Sequence, residues 1–384
     1  MPLHFPGHSK KKEESAQTAL TKLNSWFPTT KNPVIISAPM YLIANGTLAA
    51  EVSKAGGIGF VAAGFDFRPG SSQLTTLSSE LSLARQALGL SDRPLTPLPA
   101  IGVGFILTHT ISVPHFVDTV LPILIEHSPQ AVWLFANDPD FEAAHSSDEG
   151  PAAKGTAKQI IEALHAAGFV VFFQVGTVKD ARKAVADGAD VIVAQGIDAG
   201  GHQVAKGSGI VSLVPEMRDM IDREFAGREV VVVAAGGVAD GRGVVGALGL
   251  GAEGVVLGTR FIVATEAATP EFRRKLILET NDGGLNTVKS QFHDQINSTT
   301  IWHNVYDGRA VRGASYDDHA AGLPFEENHK KFKEAASSGD NSRTVTWAGT
   351  AVGLVKDQKP AGDIVRELRE QAKERIKKIQ VFAA

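Results

Sequence analysis

The chain has 384 residues, a formal net charge of −4 and no cysteine. Its hydrophobic fraction of 43% and charged fraction of 21% are typical of a globular protein with one large core or two smaller ones. The absence of cysteine excludes disulfides, thiolate metal sites and a cysteine nucleophile, and the slightly acidic charge provides no basic field for nucleic acid or an anionic membrane.

Residues 1–30 are predicted to form a polar N-terminal arm. The stretch "MPLHFPGHSKKKEESAQ" lacks the apolar run of a signal peptide. No stretch of the chain reaches the ~18 apolar residues of a membrane span. We therefore expect a cytoplasmic protein that binds neither a membrane nor nucleic acid.

Eight runs rich in β-branched residues follow in chain order and predict eight strands. Because these runs are continuous rather than alternating, both faces of each strand are expected to be buried, as in a parallel sheet. Ala-rich helical segments ending in glycine separate them. We predict an α/β fold, a TIM (β/α)₈ barrel over residues 31–264, rather than an open doubly wound sheet. The predicted strands are 33–39, 57–63, 99–105, 131–135, 169–175, 190–195, 229–236 and 254–259.

Three regions are additional to the eight strand–helix units of a minimal barrel. Residues 138–157 form a long polar loop after the fourth strand and are a candidate lid. Residues 265–345 are polar and aperiodic, and we predict an insertion of mixed helix and loop flanking the active site. Residues 346–384 are predicted to end in a helix that packs on the barrel through Ile364, Leu368, Ile376 and Ile379.

Glycine stands at the ends of the last two predicted strands. In "VVVVAAGGVADGRGVVGALGLGAEGVVLGTRF", the first strand ends in Gly236 and Gly237 and the second in Gly258 and Thr259, with Asp240 as the predicted N-cap of the helix between them. Backbone N–H groups without neighbouring Cβ atoms can close on a phosphate, and barrels recurrently bind phosphate there. The alternative is that these glycines only form tight turns.

Other strand ends carry side chains suited to a flat ring. "SAPM" places Ala38, Pro39 and Met40 after the first strand, where the thioether of Met40 can lie beside an aromatic ring or simply fill the core. Gln174 and Gln195 end two apolar strands, and a buried amide needs a partner, either a heteroaromatic edge or a loop carbonyl. A phosphate site combined with a hydrogen-bonding ring edge predicts flavin mononucleotide (FMN). No metal site is predicted.

A single histidine follows two glycines in "AQGIDAGGHQVAKGSG". We predict that the stretch 194–209 starts as the end of a buried strand and continues as a glycine-rich loop that carries His202. Imidazole can exchange a proton near neutral pH, which makes His202 a candidate acid–base residue. The alternative is a histidine that only hydrogen-bonds its own loop.

The chain resembles the nitronate monooxygenases, formerly called 2-nitropropane dioxygenases. The stretches that match this family lie in family order over residues 33–372: "PVIISAPM", "AGGIGFVAAG", "DVIVAQGIDAGGHQ", the glycine-rich stretch 230–261 and "WAGTAVGLVKDQKPAGDIVREL". The resemblance implies an FMN-dependent barrel in which His202 is catalytic and the glycine-rich strand ends bind the FMN phosphate. It also implies that Met40, Gln174, Gly200 and Gly201 lie at the flavin ring or its ribityl chain.

One position departs from the family pattern. Many members read "GVN" after the third strand, with the asparagine touching the flavin, whereas this chain reads "GVGF" with Gly104 in that place. A flavin contact or a specificity determinant at this position is therefore in question.

The resemblance implies a reaction in which an alkyl nitronate or propionate 3-nitronate gives an electron to FMN and oxygen chemistry yields a carbonyl compound and nitrite. His202 would remove the proton where the substrate is a neutral nitroalkane. Two alternatives stay open: an FMN- and NADH-dependent reductase of an enoyl thioester or quinone, and a non-redox barrel that binds a phosphate ligand. The absence of cysteine argues against an IMP dehydrogenase. A homo-oligomer is left open by the sequence.

Overall fold

The computed structural model describes residues 22–93, 96–107, 112–136, 156–299 and 301–383. Its strands are numbered here in chain order and form two sheets. The eight strands of the larger, parallel sheet are β1 (Val34–Ser37), β2 (Gly59–Gly64), β3 (Leu98–Ile106), β4 (Pro129–Phe135), β5 (Val170–Val175), β6 (Val191–Gln195), β8 (Val231–Ala235) and β9 (Gly254–Leu257). The smaller sheet contains β7 (Gly201–Val204), β10 (Thr287–Ser290) and β11 (Tyr306–Val311).

The larger sheet closes into a barrel. Its hydrogen-bonded order is β1-β9-β8-β6-β5-β4-β3-β2. The two end strands meet through a parallel bridge between Ile36 and Ile58, where the Ser37 N–H donates to the Ile58 carbonyl over 3.0 Å. All eight predicted strands overlap a barrel strand, so the predicted TIM (β/α)₈ fold is confirmed.

Residues along each barrel strand alternate between two apolar layers, which explains the continuous hydrophobic runs. Ile36 belongs to the cluster that fills the barrel, whereas its neighbour Ile35 packs against the helices. Phe60, Trp133 and Phe172 form the aromatic centre of the barrel, and the ring of Phe60 lies 5.1 Å from each of the other two ring centroids. The barrel is therefore a packed core whose open ends carry the polar groups.

Glycine follows helices between the barrel strands, and Asp240 caps one of them, as the sequence predicts. Gly56 and Gly188 follow helices with φ of +82° and +118°, a backbone conformation that favours glycine. The Asp240 carboxylate accepts from the N–H groups of Arg242 and Gly243, as expected of an N-cap. The helices of the barrel region are residues 22–26, Gly46–Lys54, Ser72–Ala87, Val113–His115, the π-helix Phe116–Val120, Leu121–His127, Thr156–Ala166, Val178–Asp187, Ile210–Glu224, Gly241–Gly249 and Thr259–Ile262.

Two predictions about loops were wrong. The stretch after Gly200 is not only loop, because Gly201–Val204 is strand β7, which pairs antiparallel with β11 so that His202 lies opposite Gly308. Residues 265–345 are not only helix and loop, because they contain β10 and β11. Their helices are Glu271–Glu279, Gly283–Asn286, Phe292–Asn297, Ala314–Ala320, Phe325–Ser338 and the 3₁₀ turn Asn341–Arg343.

The C-terminal region packs on the barrel through the predicted helix. A 3₁₀ segment (Thr350–Leu354) precedes the helix Ala361–Ile379, and a 3₁₀ turn (Gln380–Ala383) follows it. Ile364 and Leu368 are buried as predicted, whereas Ile376 and Ile379 are only half-buried. The Arg369 guanidinium donates to the carbonyls of Ala55 and Gly56, which ties the helix to the barrel's first helix.

The candidate lid, residues 138–157, lies almost wholly outside the described residues. Among the described helices, none combines the length and apolar character that crossing a membrane requires.

Candidate active site

The carboxyl ends of β1 and β9 bring two predicted segments together. The Ala38 N–H donates to the Leu257 carbonyl over 3.0 Å, which joins the strand exits. A Cβ built on Gly258 would lie 3.7 Å from the Met40 sulfur and 3.9 Å from the Ala38 Cβ. Met40 is half-buried and packs at the edge of two apolar clusters rather than inside one. Ala38, Met40 and Gly258 therefore line one corner of the barrel mouth.

Gly236 and Gly237 form the turn after β8. Their φ angles of +104° and +75° require glycine, and a Cβ on Gly236 would lie 2.8 Å from the Gly196 carbonyl oxygen. Within the described chain, the N–H groups of Gly236, Gly237, Gly258 and Thr259 donate to no protein acceptor. Buried or half-buried N–H groups are rarely left without an acceptor. The two strand ends thus offer free donors to a bound anion, and we call these four residues the glycine cup.

The segment 346–350 supports the glycine cup from the side. The Gly349 N–H donates to the Thr259 hydroxyl over 3.0 Å, so the hydroxyl proton of Thr259 is directed elsewhere. The Thr350 N–H and hydroxyl donate to the Asp198 carbonyl and carboxylate over 3.0 and 3.1 Å. A Cβ on Gly200 would lie 2.4 Å from the Ala348 carbonyl carbon. Gly200 is therefore required by the contact between these two loops.

Gly201 faces open space instead. Its φ of +73° favours glycine, and a Cβ built there would meet no atom within 4 Å. The backbone just before His202 is therefore accessible to a ligand.

The two glutamines have different partners. The Gln174 side-chain oxygen accepts from the Trp133 indole N–H over 3.0 Å, and its Nε2 has no hydrogen-bond partner among the described residues. Gln195 donates from Nε2 to the His202 carbonyl over 3.0 Å, and its Oε1 is buried without a partner in the described chain. Gln174 thus offers a fixed donor, whereas Gln195 holds the backbone of His202.

Gly104, the departure from the family pattern, lies against Pro39. A Cβ on Gly104 would lie 2.3 Å from Cβ and 2.5 Å from Cγ of the Pro39 ring. Pro39 therefore fills the space that a side chain at position 104 would need.

His202 lies in an aromatic and acidic environment. Its Nε2 is 2.8 Å from the Asp294 Oδ1, and the two side chains are only 14% and 10% exposed. The Trp302 ring stacks on the imidazole with centroids 3.8 Å apart and planes 13° apart, and the Trp347 ring lies 4.7 Å away. The imidazole is thus held in one plane with one nitrogen engaged.

Sequence reasoning missed Asp294, Trp302 and Trp347. Asp294 lies in the first turn of the helix Phe292–Asn297 and Trp302 follows this helix, so both come from the insertion and lie about 90 to 100 residues after His202. Trp347 packs flat against Gly308, where a Cβ would lie 2.4 Å from the indole. The sequence carries a signal for Trp347 alone, because this tryptophan begins the family-matching stretch "WAGTAVGLVKDQKPAGDIVREL". That stretch indicates no role for it.

Charges near His202 on the small sheet are paired with one another. Lys289 Nζ donates to the carbonyls of Val204 and Ala205 and lies 3.4 Å from the Asp307 carboxylate. Burial raises the pKa of Asp307 against the opposing charge of Lys289, and burial lowers the pKa of Arg309 against the opposing charge of Asp198. No group of three or more potential metal ligands occurs among the described residues.

The site can bind an anion at the glycine cup and transfer a proton at the His202 imidazole. Free amides form the anion end at β8 and β9, while Gly201, Gln174 and His202 form the opposite side, linked to the cup through the 346–350 segment. This combination suits a phosphate-bearing ring on which a small substrate meets an imidazole.

Comparison with known proteins identifies the family of this chain. The family model described as nitronate monooxygenase matches residues 152–371. A nitronate monooxygenase of Neurospora crassa is 87% identical over 382 residues, with 100% of both chains covered. Nitronate monooxygenase npaC of Metarhizium robertsii is 34% identical, covering 92% of this chain and 94% of the relative.

Solved structures support the same fold. The structure of FabK from Thermotoga maritima superposes with a TM-score of 0.68 at 23% identity, covering 94% of this chain and 98% of that one. The family model extends over more than half of the chain, and both fungal relatives extend over nearly all of it. The chain belongs to the nitronate monooxygenase family.

Proposed function

We propose that this protein is an FMN-dependent nitronate monooxygenase that oxidises alkyl nitronates or propionate 3-nitronate with O₂ to carbonyl compounds and nitrite. The observation that carries the proposal is the family membership combined with His202 beside an accessible glycine backbone at the carboxyl end of the barrel. Catalytic groups of barrel enzymes gather at this end.

The residues at the barrel mouth fit a flavin with one phosphate. Four N–H groups of the glycine cup, without a partner among the described residues, suit the phosphate of FMN, and a Cβ at Gly236 or Gly237 would press on the neighbouring loop at Gly196 or Asp198. The free Nε2 of Gln174 suits a ring oxygen or nitrogen, with Met40 alongside. No second nucleotide fingerprint accompanies the cup, which favours FMN over a dinucleotide flavin.

The chain's own residues would bind the substrate and move one proton. His202 accepts the α-proton of a neutral nitroalkane, and the imidazolium then stabilises the anionic nitronate. Trp302 and Trp347 shield the imidazole from water, which strengthens both interactions. The chemistry that FMN supplies when bound is removal of an electron from the nitronate and its transfer to oxygen.

Release of the cofactor tests this proposal. We expect the purified protein to be yellow and to release FMN, rather than FAD, on denaturation. Chromatography of the supernatant identifies the flavin against both standards. An adenine-containing flavin would contradict the FMN assignment, and a colourless protein that gains no flavin on incubation with FMN would favour the non-redox barrel.

An FMN- and NADH-dependent reductase is distinguished by one further measurement. Anaerobic mixing with NADH reduces the flavin rapidly in a reductase, whereas a nitronate, and not NADH, changes the flavin spectrum in a nitronate monooxygenase. The family membership favours the second outcome. A cytoplasmic location stays a prediction.

A further inference from the structure

We propose that Asp294 is a positioning residue that fixes His202 in the tautomer with the proton on Nε2, so that Nδ1 is the atom that accepts the substrate proton. The proposal rests on the proposed function for the role of His202 and goes beyond it by naming the reacting nitrogen and its support. The Nε2 to Oδ1 distance of 2.8 Å carries it.

A carboxylate only accepts hydrogen bonds, so its partner nitrogen must carry the proton. In a neutral imidazole one nitrogen donates and the other accepts, and Nε2–H beside Asp294 therefore leaves the lone pair on Nδ1. Within the described residues, the side-chain hydrogen bond of His202 runs from Nε2 to Asp294, and none involves Nδ1. The structure thus leaves one nitrogen of His202 available to a substrate.

Ring stacking removes the remaining freedom of the imidazole. Trp302 lies almost parallel to it at 3.8 Å, so the ring cannot leave its plane without losing this contact. A half-turn about the Cβ–Cγ bond keeps the plane but replaces Nε2 by Cε1 beside Asp294, and loss of the 2.8 Å Nε2–Oδ1 hydrogen bond makes that rotation unfavourable. Gln195 fixes the backbone of the same residue through its carbonyl.

Other ionisable groups face His202 but do not compete for Nε2. Asp307 and His293 interact with its charge at longer range, and His293 Nε2 is bonded to the Val288 carbonyl over 3.1 Å. Asp307 is paired with Lys289. Of the described charged groups, only Asp294 forms a hydrogen bond with the imidazole.

The proton balance of the step is simple. The Cα–H bond of the nitroalkane breaks, its electron pair forms the nitronate, and the proton forms a bond to Nδ1. Asp294 stays ionised and keeps its hydrogen bond to Nε2–H, so the carboxylate and the imidazolium form an ion pair within the site. A preformed nitronate does not need this step.

The test is Asp294→Asn in the FMN-loaded enzyme. An amide can turn its NH₂ group towards Nε2 and so stabilise the opposite tautomer. We expect kcat/KM for a neutral nitroalkane to fall about 10²- to 10⁴-fold, while kcat/KM for the preformed nitronate changes less than about tenfold. An equal loss with both substrates, or no loss with either, would overturn the proposal.

A matched control is present in the same chain. His165 Nε2 and Asp190 Oδ2 are also 2.8 Å apart, but Asp190 precedes the amino end of β6, whereas the site lies at its carboxyl end. The substitution Asp190→Asn should leave the ratio of the two kcat/KM values unchanged. A changed ratio in this control would show that the ratio reports general damage, and the assignment of Asp294 would then be withdrawn.

A spectroscopic measurement decides the assignment independently of activity. We expect ¹⁵N-histidine spectra of the neutral ring to show a protonated Nε2 and an unprotonated Nδ1 for His202, with the signal assigned through the His202→Asn variant. A protonated Nδ1 in the wild type would overturn the proposal even if Asp294→Asn does not fold. If neither substrate form is oxidised, the proposed function fails, while these spectra still decide the role of Asp294.

Discussion

The backbone before His202 is open to a ligand, whereas the His202 side chain is enclosed by other residues. Its position after Gly201, whose backbone faces open space, gives a ligand access, while Asp294 and Trp302 hold the side chain with 14% of its surface exposed. A residue that only stabilised its own loop would need neither the aromatic stack nor a carboxylate from a distant segment. We therefore expect a substitution of His202 to affect the reaction more than the fold.

The substitution His202→Asn should lower kcat for a neutral nitroalkane by about 10²- to 10⁴-fold, because a general base contributes an effect of this size. Oxidation of the preformed nitronate should decrease much less, because no proton has to be removed. Oxygen consumption with both substrate forms, at equal FMN content, measures the difference.

The control for this variant is His165→Asn, which removes the imidazole of the other His–Asp pair. It should leave both rates unchanged. If His202→Asn oxidises both substrate forms at the wild-type rate, His202 has only a structural role.

The sequence predicted His202 but could not predict its partners. The histidine follows two glycines at a strand end, which is a local pattern. Asp294 lies 92 positions away in a polar insertion without periodicity, and one acidic residue among many carries no local signal. Trp302 has the same limitation. Only the packing of the insertion on the barrel mouth brings these residues to the imidazole.

At the scale of elements, the ends of β8 and β9 form the glycine cup because both strands stop at glycine. Gly237→Val should weaken FMN binding at least tenfold, since the new side chain would press on Asp198, whose Cβ lies 3.2 Å from the added Cβ, and would distort the donors. Fluorescence titration of the apoprotein with FMN measures the dissociation constant.

The effect of backbone strain on FMN affinity must be separated from the effect of losing the phosphate donors of the glycine cup. A side chain at φ of +75° costs on the order of 1–3 kcal/mol wherever it occurs. Gly227→Val introduces similar strain at φ of +92°, in a turn at the opposite end of the barrel with no atom within 4 Å of the added Cβ. Gly227→Val should therefore bind FMN with the affinity of the wild type. If Gly237→Val also binds FMN with that affinity, the phosphate assignment is wrong.

Barrel elements were predictable because burial on both faces gives each strand a continuous apolar run, as in "EVVVVAAG" for β8. Strand β7 was not, because "GHQV" starts with glycine, is short and becomes a strand only by pairing with β11. The strands of the insertion were missed for a related reason. Lys289 and Arg309, which lie opposite each other on β10 and β11, replace the apolar alternation expected of a strand.

At the scale of the whole molecule, the barrel has a carboxyl end, where we propose that the ligand binds, and an amino end that carries buried charges. Glu253, just before β9 at that second end, is 4% exposed. Its two carboxylate oxygens accept from Arg218 over 2.9 Å and from the Val232 N–H over 2.7 Å. Burial raises the pKa of Glu253 to about 7, against the opposing effect of Arg218. The folded protein therefore holds a proton that the unfolded chain loses at lower pH.

This proton makes stability depend on pH in a defined direction. Between pH 4.5, the ordinary value, and about 7, the unfolded chain ionises Glu253 while the folded protein does not, so this group lowers the free energy of unfolding as pH rises. The difference in unfolding free energy, Glu253→Gln minus wild type, should therefore rise by on the order of 3 kcal/mol across this range and stay constant above it. Urea unfolding from pH 4.5 to 8.5 measures this difference, and the subtraction cancels the contributions of the other titrating groups.

Glu224→Gln is the control. Arg182 and Arg223 lower the pKa of exposed Glu224 to about 2, so the difference in unfolding free energy for this variant should be flat over the same range. A flat difference for Glu253→Gln would show that Glu253 is already ionised in the folded protein at pH 4.5.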